Sequence, residues 1–139
     1  MADTIVLKII TPKKIVMEEK VDAVSLPTFR GEITVLPHHT QLFSLLVEGV
    51  IKIKKDNKED YLAIGGGYLE TDGEELHILV SRAYNQGEID QKLIEKSIES
   101  AKKILAQSKD LKERSEAMAV MRRAVIDTKL LKKRKPRSI

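Results

Sequence analysis

Three groups of residues have the types from which a chemical site could be built. Gly65-Gly66-Gly67 has the composition of a phosphate-cradling loop, in which glycines let backbone N–H groups close round an anion at the start of a helix. Such a loop needs Lys and then Ser or Thr after its glycines, and Tyr68, Leu69 and Glu70 follow instead. The triplet therefore reads as structural, a bulge or a close backbone approach within a strand. His38-His39 offers imidazole for a metal or for proton transfer. Adjacent side chains on an extended backbone point apart, and the third histidine, His77, is distant and alternates with Leu76 and Ile78 like a solvent-side strand residue. No metal site is predicted. The chain has no cysteine, which excludes disulfides and thiol catalysis. Its serines lie in no G-x-S-x-G elbow, and the pairs Glu18-Glu19 and Glu74-Glu75 fall where turns or strand ends are expected, with solvated charge the default. No catalytic residue is assigned, and an independent enzyme is not expected.

Charge offers a second kind of chemistry. The net charge of +4 is unevenly spread: residues 1–88 carry 10 basic and 14 acidic side chains, a net of −4, whereas residues 89–139 carry 15 basic and 7 acidic, a net of +8. The run from Lys129 to Arg137 holds six basic residues and no acid. A basic helix suits nucleic acid, an anionic surface or an acidic protein face. All five aromatic residues lie within the first 84, so the basic segment has none on which a base could stack. Both an anionic-polymer partner and an acidic protein partner remain open on composition.

The elements that must position these residues follow from hydrophobic period. With 139 residues, 42% of them apolar, the chain can bury one modest core. Before residue 89 the apolar stretches are short and β-branched: 5–10, 14–17, 21–26, 32–36, 50–54, 61–64 and 76–80. Turn residues at Thr11-Pro12, Pro27 to Gly31, Asp56 to Asp60 and Asp72-Gly73 separate them. After residue 89 the period lengthens. Ile94, Ile98, Ala101 and Leu105 fall on one helical face, with Asp90 as N-cap. A polar break over 107–110 precedes a second face of Leu111, Met118, Met121 and Val125, with Ala117 and Ala124 adjoining. The fold class is thus α+β by segment: an antiparallel β-sandwich over 1–88, then a helical hairpin over 89–139. No apolar run reaches the ~18 residues of a membrane span, and Lys8 interrupts the N-terminal apolar stretch, so neither a span nor a secretory signal is expected.

The ordered residues Gly31-Glu32-Ile33-Thr34-Val35-Leu36-Pro37-His38-His39, then Gly49-Val50, then Ala63-Ile64-Gly65-Gly66-Gly67-Tyr68-Leu69-Glu70, resemble the epsilon subunit of the F-type ATP synthase. The resemblance covers nearly the whole chain, including the hairpin after Ile89-Asp90. It implies a non-catalytic subunit of the central stalk, peripheral at the cytoplasmic face of a bacterial plasma membrane. It further implies that the sandwich joins the gamma subunit to the ring of c subunits, with Arg30, Gly31 and Glu32 facing the ring and His39 nearby. The hairpin of this family can fold against the sandwich or extend toward the alpha and beta subunits and restrain ATP hydrolysis. The corresponding basic residues here are Arg114, Arg122, Arg123, Lys129, Lys132 and Lys133. Nucleic acid is not a partner on this reading.

Several bacterial members hold a regulatory ATP through an Ile/Leu-Asp-x-x-Arg-Ala motif. The matching stretch is Ile89-Asp90-Gln91-Lys92-Leu93-Ile94, which keeps Asp90 but puts Leu93 where the motif has Arg. Leucine cannot supply a charge-assisted phosphate contact. With only Asp90, Lys92, Arg122 and Arg123 to serve ATP, the expectation is weak or no binding and no cofactor. Thr34 also replaces a usual Gly, and Thr40-Gln41 a usual Ala-Pro, both close to the expected ring contact.

Overall fold

The computed structural model describes residues 3–133. Ten strands come first: β1 Ile5–Ile10, β2 Ile15–Val21, β3 Ala23–Thr28, β4 Gly31–Val35, β5 Leu42–Leu46, β6 Gly49–Lys55, β7 Lys58–Ile64, β8 Gly67–Thr71, β9 Glu75–Val80 and β10 Ala83–Tyr84. One 3-10 turn, Gln86–Glu88, leads to helices α1 Gln91–Gln107 and α2 Leu111–Leu131. The strands form two layers. One runs β10-β7-β6-β3-β4 and the other β5-β8-β9-β1-β2, joined at a corner where Thr28 of β3 pairs with Leu46 of β5. Between them lies a core that includes Ile5, Leu7, Ile9, Leu26, Ile51 and Ile78.

Alternation explains the layers. In β1 and β9 every second side chain is buried, as a half-buried strand requires. The β6–β7 hairpin closes through Asp56 and Asn57, both at positive φ (51° and 64°), the residue types that a two-residue turn of that hand favours. Four sequence expectations need correction. The sandwich is not wholly antiparallel, since β1 and β9 run parallel. Pro27 lies inside β3, so that turn shortens to Phe29-Arg30. Glu18 and Glu19 sit within β2 rather than at a turn. Strands β5, β8 and β10 are absent from the expected set; the sequence of β5, Leu-Phe-Ser-Leu-Leu, is apolar on both faces and shows no period of two.

The glycine triplet is a close approach. A Cβ on Gly67 would lie 1.9 Å from the Leu79 carbonyl oxygen of the next strand, and one on Gly65 would lie 2.1 Å from Ser81 Oγ. At Gly67 the obstacle is backbone, so that position must be glycine for the strands to meet as they do; at Gly65 it is the side chains of Ser81 and Arg82.

Both helices begin as read. Asp90 accepts from the N–H groups of Lys92 (3.0 Å) and Leu93 (3.3 Å), and Asp110 does the same for Lys112 (3.0 Å). Arg114 reaches back to donate to the carbonyls of Leu105 (2.6 Å) and Ser108 (3.2 Å), which closes the interhelix turn. The buried face of α2 differs from the expected one. Ala117, Ala124, Asp127 and Leu130 are buried, whereas Leu111, Met118 and Val125 are 83%, 47% and 65% exposed. Small alanines let α2 lie close to α1, and that close packing turns the larger side chains outward.

Candidate functional site

The two outer faces of the sandwich have different fates. On the β10-β7-β6-β3-β4 layer the outward residues Ser25 and Ala63 are buried, because the C-terminal half of α2 lies over β6 and β7. On the other layer a row of apolar side chains crosses all five strands: Leu45 pairs with Tyr68, Tyr68 with Leu79, Leu79 with Ile10 and Ile10 with Ile15. Leu45 and Ile15 are both 54% exposed, and Phe43 stacks on Tyr68 at 5.2 Å. Open apolar rows of this kind are where other proteins, membranes or ligands are found to bind.

Specific polar contacts hold α2 down. The Tyr84 hydroxyl donates to Asp127, and the Arg123 guanidinium lies 5.6 Å from the centre of the Tyr84 ring. Gln86 Nε2 donates to the carbonyls of Leu130 and Lys133, both at 2.6 Å, satisfying acceptors at the open end of the helix. Glu48 pairs with Arg82 (3.0 Å) on the sandwich and with Arg122 (3.4 Å) on α2. Among the residues read as a basic face, Arg114, Arg122 and Arg123 are thus engaged within the chain. Lys129 and Lys132 are exposed, and Lys133 stands 5.1 Å over the Tyr61 ring. The remaining basic residues, 134–137, lie outside the described part.

Burial, and then the hydrogen bond to Asp127, push the Tyr84 phenol above its ordinary pKa of 10.0. A raised pKa means that the folded chain holds the proton more tightly than the unfolded one. The stabilisation is therefore complete below pH about 10 and is lost as pH rises through the folded value. A phenolate absorbance titration is expected to lose its latest component in Tyr84→Phe; an unchanged high-pH limb in that variant would contradict this contact.

The residues named for ATP are only partly brought together. Asp90 and Arg123 line a hollow of about 490 Å³ with Tyr84, Glu88, Leu93 and Asp127, whereas Lys92 and Arg122 do not line it. Three carboxylates face one guanidinium there, Asp90 is occupied as the cap of α1, and Arg123 is stacked.

The residues read as ring-facing are also divided. Arg30, Gly31 and Glu32 form the tip of the β3–β4 hairpin, with Gly31 at φ 117° and Thr28 Oγ1 donating to its carbonyl at 2.6 Å. The Arg30 guanidinium lies 5.2 Å from the Phe29 ring. His39 sits in the loop at the other end of β4, roughly 14 Å away along the strand, where it packs against Gly73. His38 is at φ 67° with Nε2 3.2 Å from Asp3, and among the described residues no group of three His, Asp or Glu side chains could hold a metal ion.

Residues 4–86 match the family model for the ATP synthase delta/epsilon chain β-sandwich domain. The chain is 38% identical over 133 residues to the ATP synthase epsilon chain of Syntrophobacter fumaroxidans, covering 96% of this chain and 99% of that one. The chain belongs to the epsilon-subunit family of the F-type ATP synthase. A second epsilon chain, from Carboxydothermus hydrogenoformans, is 36% identical over 76% of this chain and 79% of its own. Among solved structures, a chain of the Euglena gracilis mitochondrial ATP synthase, described as OSCP/F1/c-ring, superposes with a TM-score of 0.69 at 25% identity, covering 92% of this chain and 77% of that one. A Tetrahymena thermophila central stalk and c-ring structure shares the fold, with a TM-score of 0.65 at 15% identity. Epsilon subunits are non-catalytic members of the complex, so the sites that matter here are contact surfaces.

Proposed function

We propose that this epsilon subunit is the foot of the rotor, coupling gamma to the c-ring during proton-driven ATP synthesis, and that its released hairpin restrains ATP hydrolysis. The observation that carries the reading is the division of the two outer faces. One is covered by the C-terminal half of α2 and the other presents the Leu45–Tyr68–Leu79–Ile10–Ile15 row to a partner. Gamma docks on that row, and the Arg30–Glu32 tip meets the polar loops of the ring. Because the row belongs to the sandwich alone, docking persists whether the hairpin is folded or released. Once α2 leaves the sandwich, Arg122 and Arg123 lose Glu48 and Tyr84 as partners and become free for acidic segments of the alpha and beta subunits. The complex lies at the cytoplasmic face of the plasma membrane, with epsilon peripheral to it.

Two changes made in the reassembled complex separate the two halves of this role. Leu45→Asp together with Ile15→Asp puts two charges on the row and is expected to abolish co-elution with gamma, because each desolvated carboxylate is left without a partner. Removing residues 89–139 is expected to leave gamma binding intact and to raise ATP hydrolysis. Unimpaired gamma binding by the double variant would remove the row from the interface, and unchanged hydrolysis after truncation would remove the restraint.

Regulatory ATP is not part of the proposal. Calorimetry with Mg and ATP at millimolar concentration is expected to give no binding heat, and Asp90→Ala to behave as the parent does. A saturable heat that Asp90→Ala abolished would restore the nucleotide. The reading of α2 as a binder of nucleic acid or of an extended anionic surface is disfavoured, since three of its arginines are turned to internal partners in the folded state.

A further inference from the structure

A second hollow, of about 140 Å³, lies where the C-terminal end of α2 meets the outer face of β3, β6 and β7. Its walls include Ser25, Lys52 and Tyr61 from the sandwich, Lys129 and Lys133 from the helix, and Glu32. Sheet register explains the sandwich side. Ser25 pairs with Lys52 and Lys52 with Tyr61, so all three project from one row toward the helix. Three lysines and one carboxylate, Glu32, line it. None of the three lysines is in an ion pair among the described residues. Lys133 lies over the Tyr61 ring, whose hydroxyl is turned away to donate to Glu59 at 2.6 Å. Ser25, only 8% exposed, shares a 2.9 Å hydrogen bond with Thr34, in which one hydroxyl donates and the proton of the other is left over.

Like charges gathered at a docking seam oppose the docking unless something of opposite sign sits among them. We propose that this hollow is a binding site for a tetrahedral oxyanion, a phosphate or phosphate monoester. Lys52 grips it from the sandwich and Lys129 and Lys133 from α2, with a hydroxyl of the Ser25–Thr34 pair as a further donor. The volume is several times the ~30 Å³ of a water molecule, which admits one such ion and part of its hydration shell. The site exists only while α2 is docked, so occupancy fastens the free end of the hairpin by mass action. It is separate from the hollow around Asp90 and shares no lining residue with it. Its meaning for hydrolysis rests on the function proposed above; the site itself does not.

The test uses the full chain in two arms. In the first, inorganic phosphate is titrated against the amide spectrum at constant ionic strength, with chloride as the balancing anion. The expected result is saturable shifts at Ser25, Lys52 and Lys129 and slower amide exchange at the end of α2. Lys52→Gln and Lys129→Gln, both changes at solvent-accessible lysines, are each expected to weaken the apparent affinity about tenfold. In the second arm, phosphatidylglycerol vesicles are offered in place of phosphate. Capture that depends on Lys52, without saturation by free phosphate, assigns the oxyanion to a lipid headgroup; saturation by phosphate assigns it to a soluble ion. Shifts that grow without saturation, that chloride reproduces, or that neither lysine variant weakens overturn the site. Because no gamma is present, that failure leaves the rotor reading untouched, and loss of gamma binding leaves the site untouched.

Discussion

Leu130→Asp is expected to detach the hairpin and leave the sandwich folded. Leu130 is wholly buried near the end of α2, and its carbonyl is one of the two that Gln86 holds. Removing the leucine alone would cost about 2–5 kcal/mol, and desolvating a carboxylate in its place adds several more. The two arginine contacts on the same helix are small beside that loss. The Arg122–Glu48 pair is partly exposed and contributes about 0–1 kcal/mol, and Arg123 on Tyr84 about 0.5–1 kcal/mol. The sandwich core, by contrast, contains no residue of either helix. Amide exchange should therefore accelerate strongly through 111–131 while the protection of β1 and β9 is kept. If sandwich protection fell in parallel, the two parts would fold as one cooperative unit, and an independent release of the hairpin would have to be abandoned.

Gly67→Ala is expected to cost about 3 kcal/mol or more, a large share of the roughly 5–15 kcal/mol that holds a domain together. The new Cβ would meet the Leu79 oxygen at 1.9 Å and the Val80 Cα at 2.8 Å. Both are backbone atoms of β9, so relief requires parting β8 from β9 rather than turning a side chain. Those two strands carry Tyr68 and Leu79, the middle of the open apolar row, so gamma binding should weaken together with stability. Gly66→Ala is the control. Its nearest contact would be the Leu46 oxygen at 3.6 Å, and its urea midpoint should lie close to that of the parent. Equal midpoints for the two variants would refute the close-approach account.

What the sequence revealed, and what it hid, follows from the range of the interactions involved. Strands with one wet face, such as β1 and β9, announce themselves by alternation, and Asp90 announces α1 because a cap acts on N–H groups two and three residues on. Strand β5 escaped because Phe43 and Leu45 face outward into the open row. The feature that erased its period is the feature proposed to bind a partner. The face of α2 was misjudged because large apolar residues were taken to be the buried ones, whereas Ala117 and Ala124 face inward and Asp127 is buried against Tyr84, 43 residues earlier in the chain. No local pattern reports a contact of that separation. The motif positions at Arg30 to His39 were legible as a string, but β4 lies between them and holds their ends apart.

Glu48 bears on the release of α2 proposed above. It is held by two arginines, one from each side of the seam, and Arg82 belongs to the sandwich. Departure of Arg122 therefore leaves neither a bare carboxylate nor a bare guanidinium in the rim, because the Arg82 contact at 3.0 Å remains and Arg122, already 58% exposed, passes into water. At Glu48 the two sides can part and rejoin without leaving an unpaired charge behind, so this ion pair adds little to the barrier in either direction.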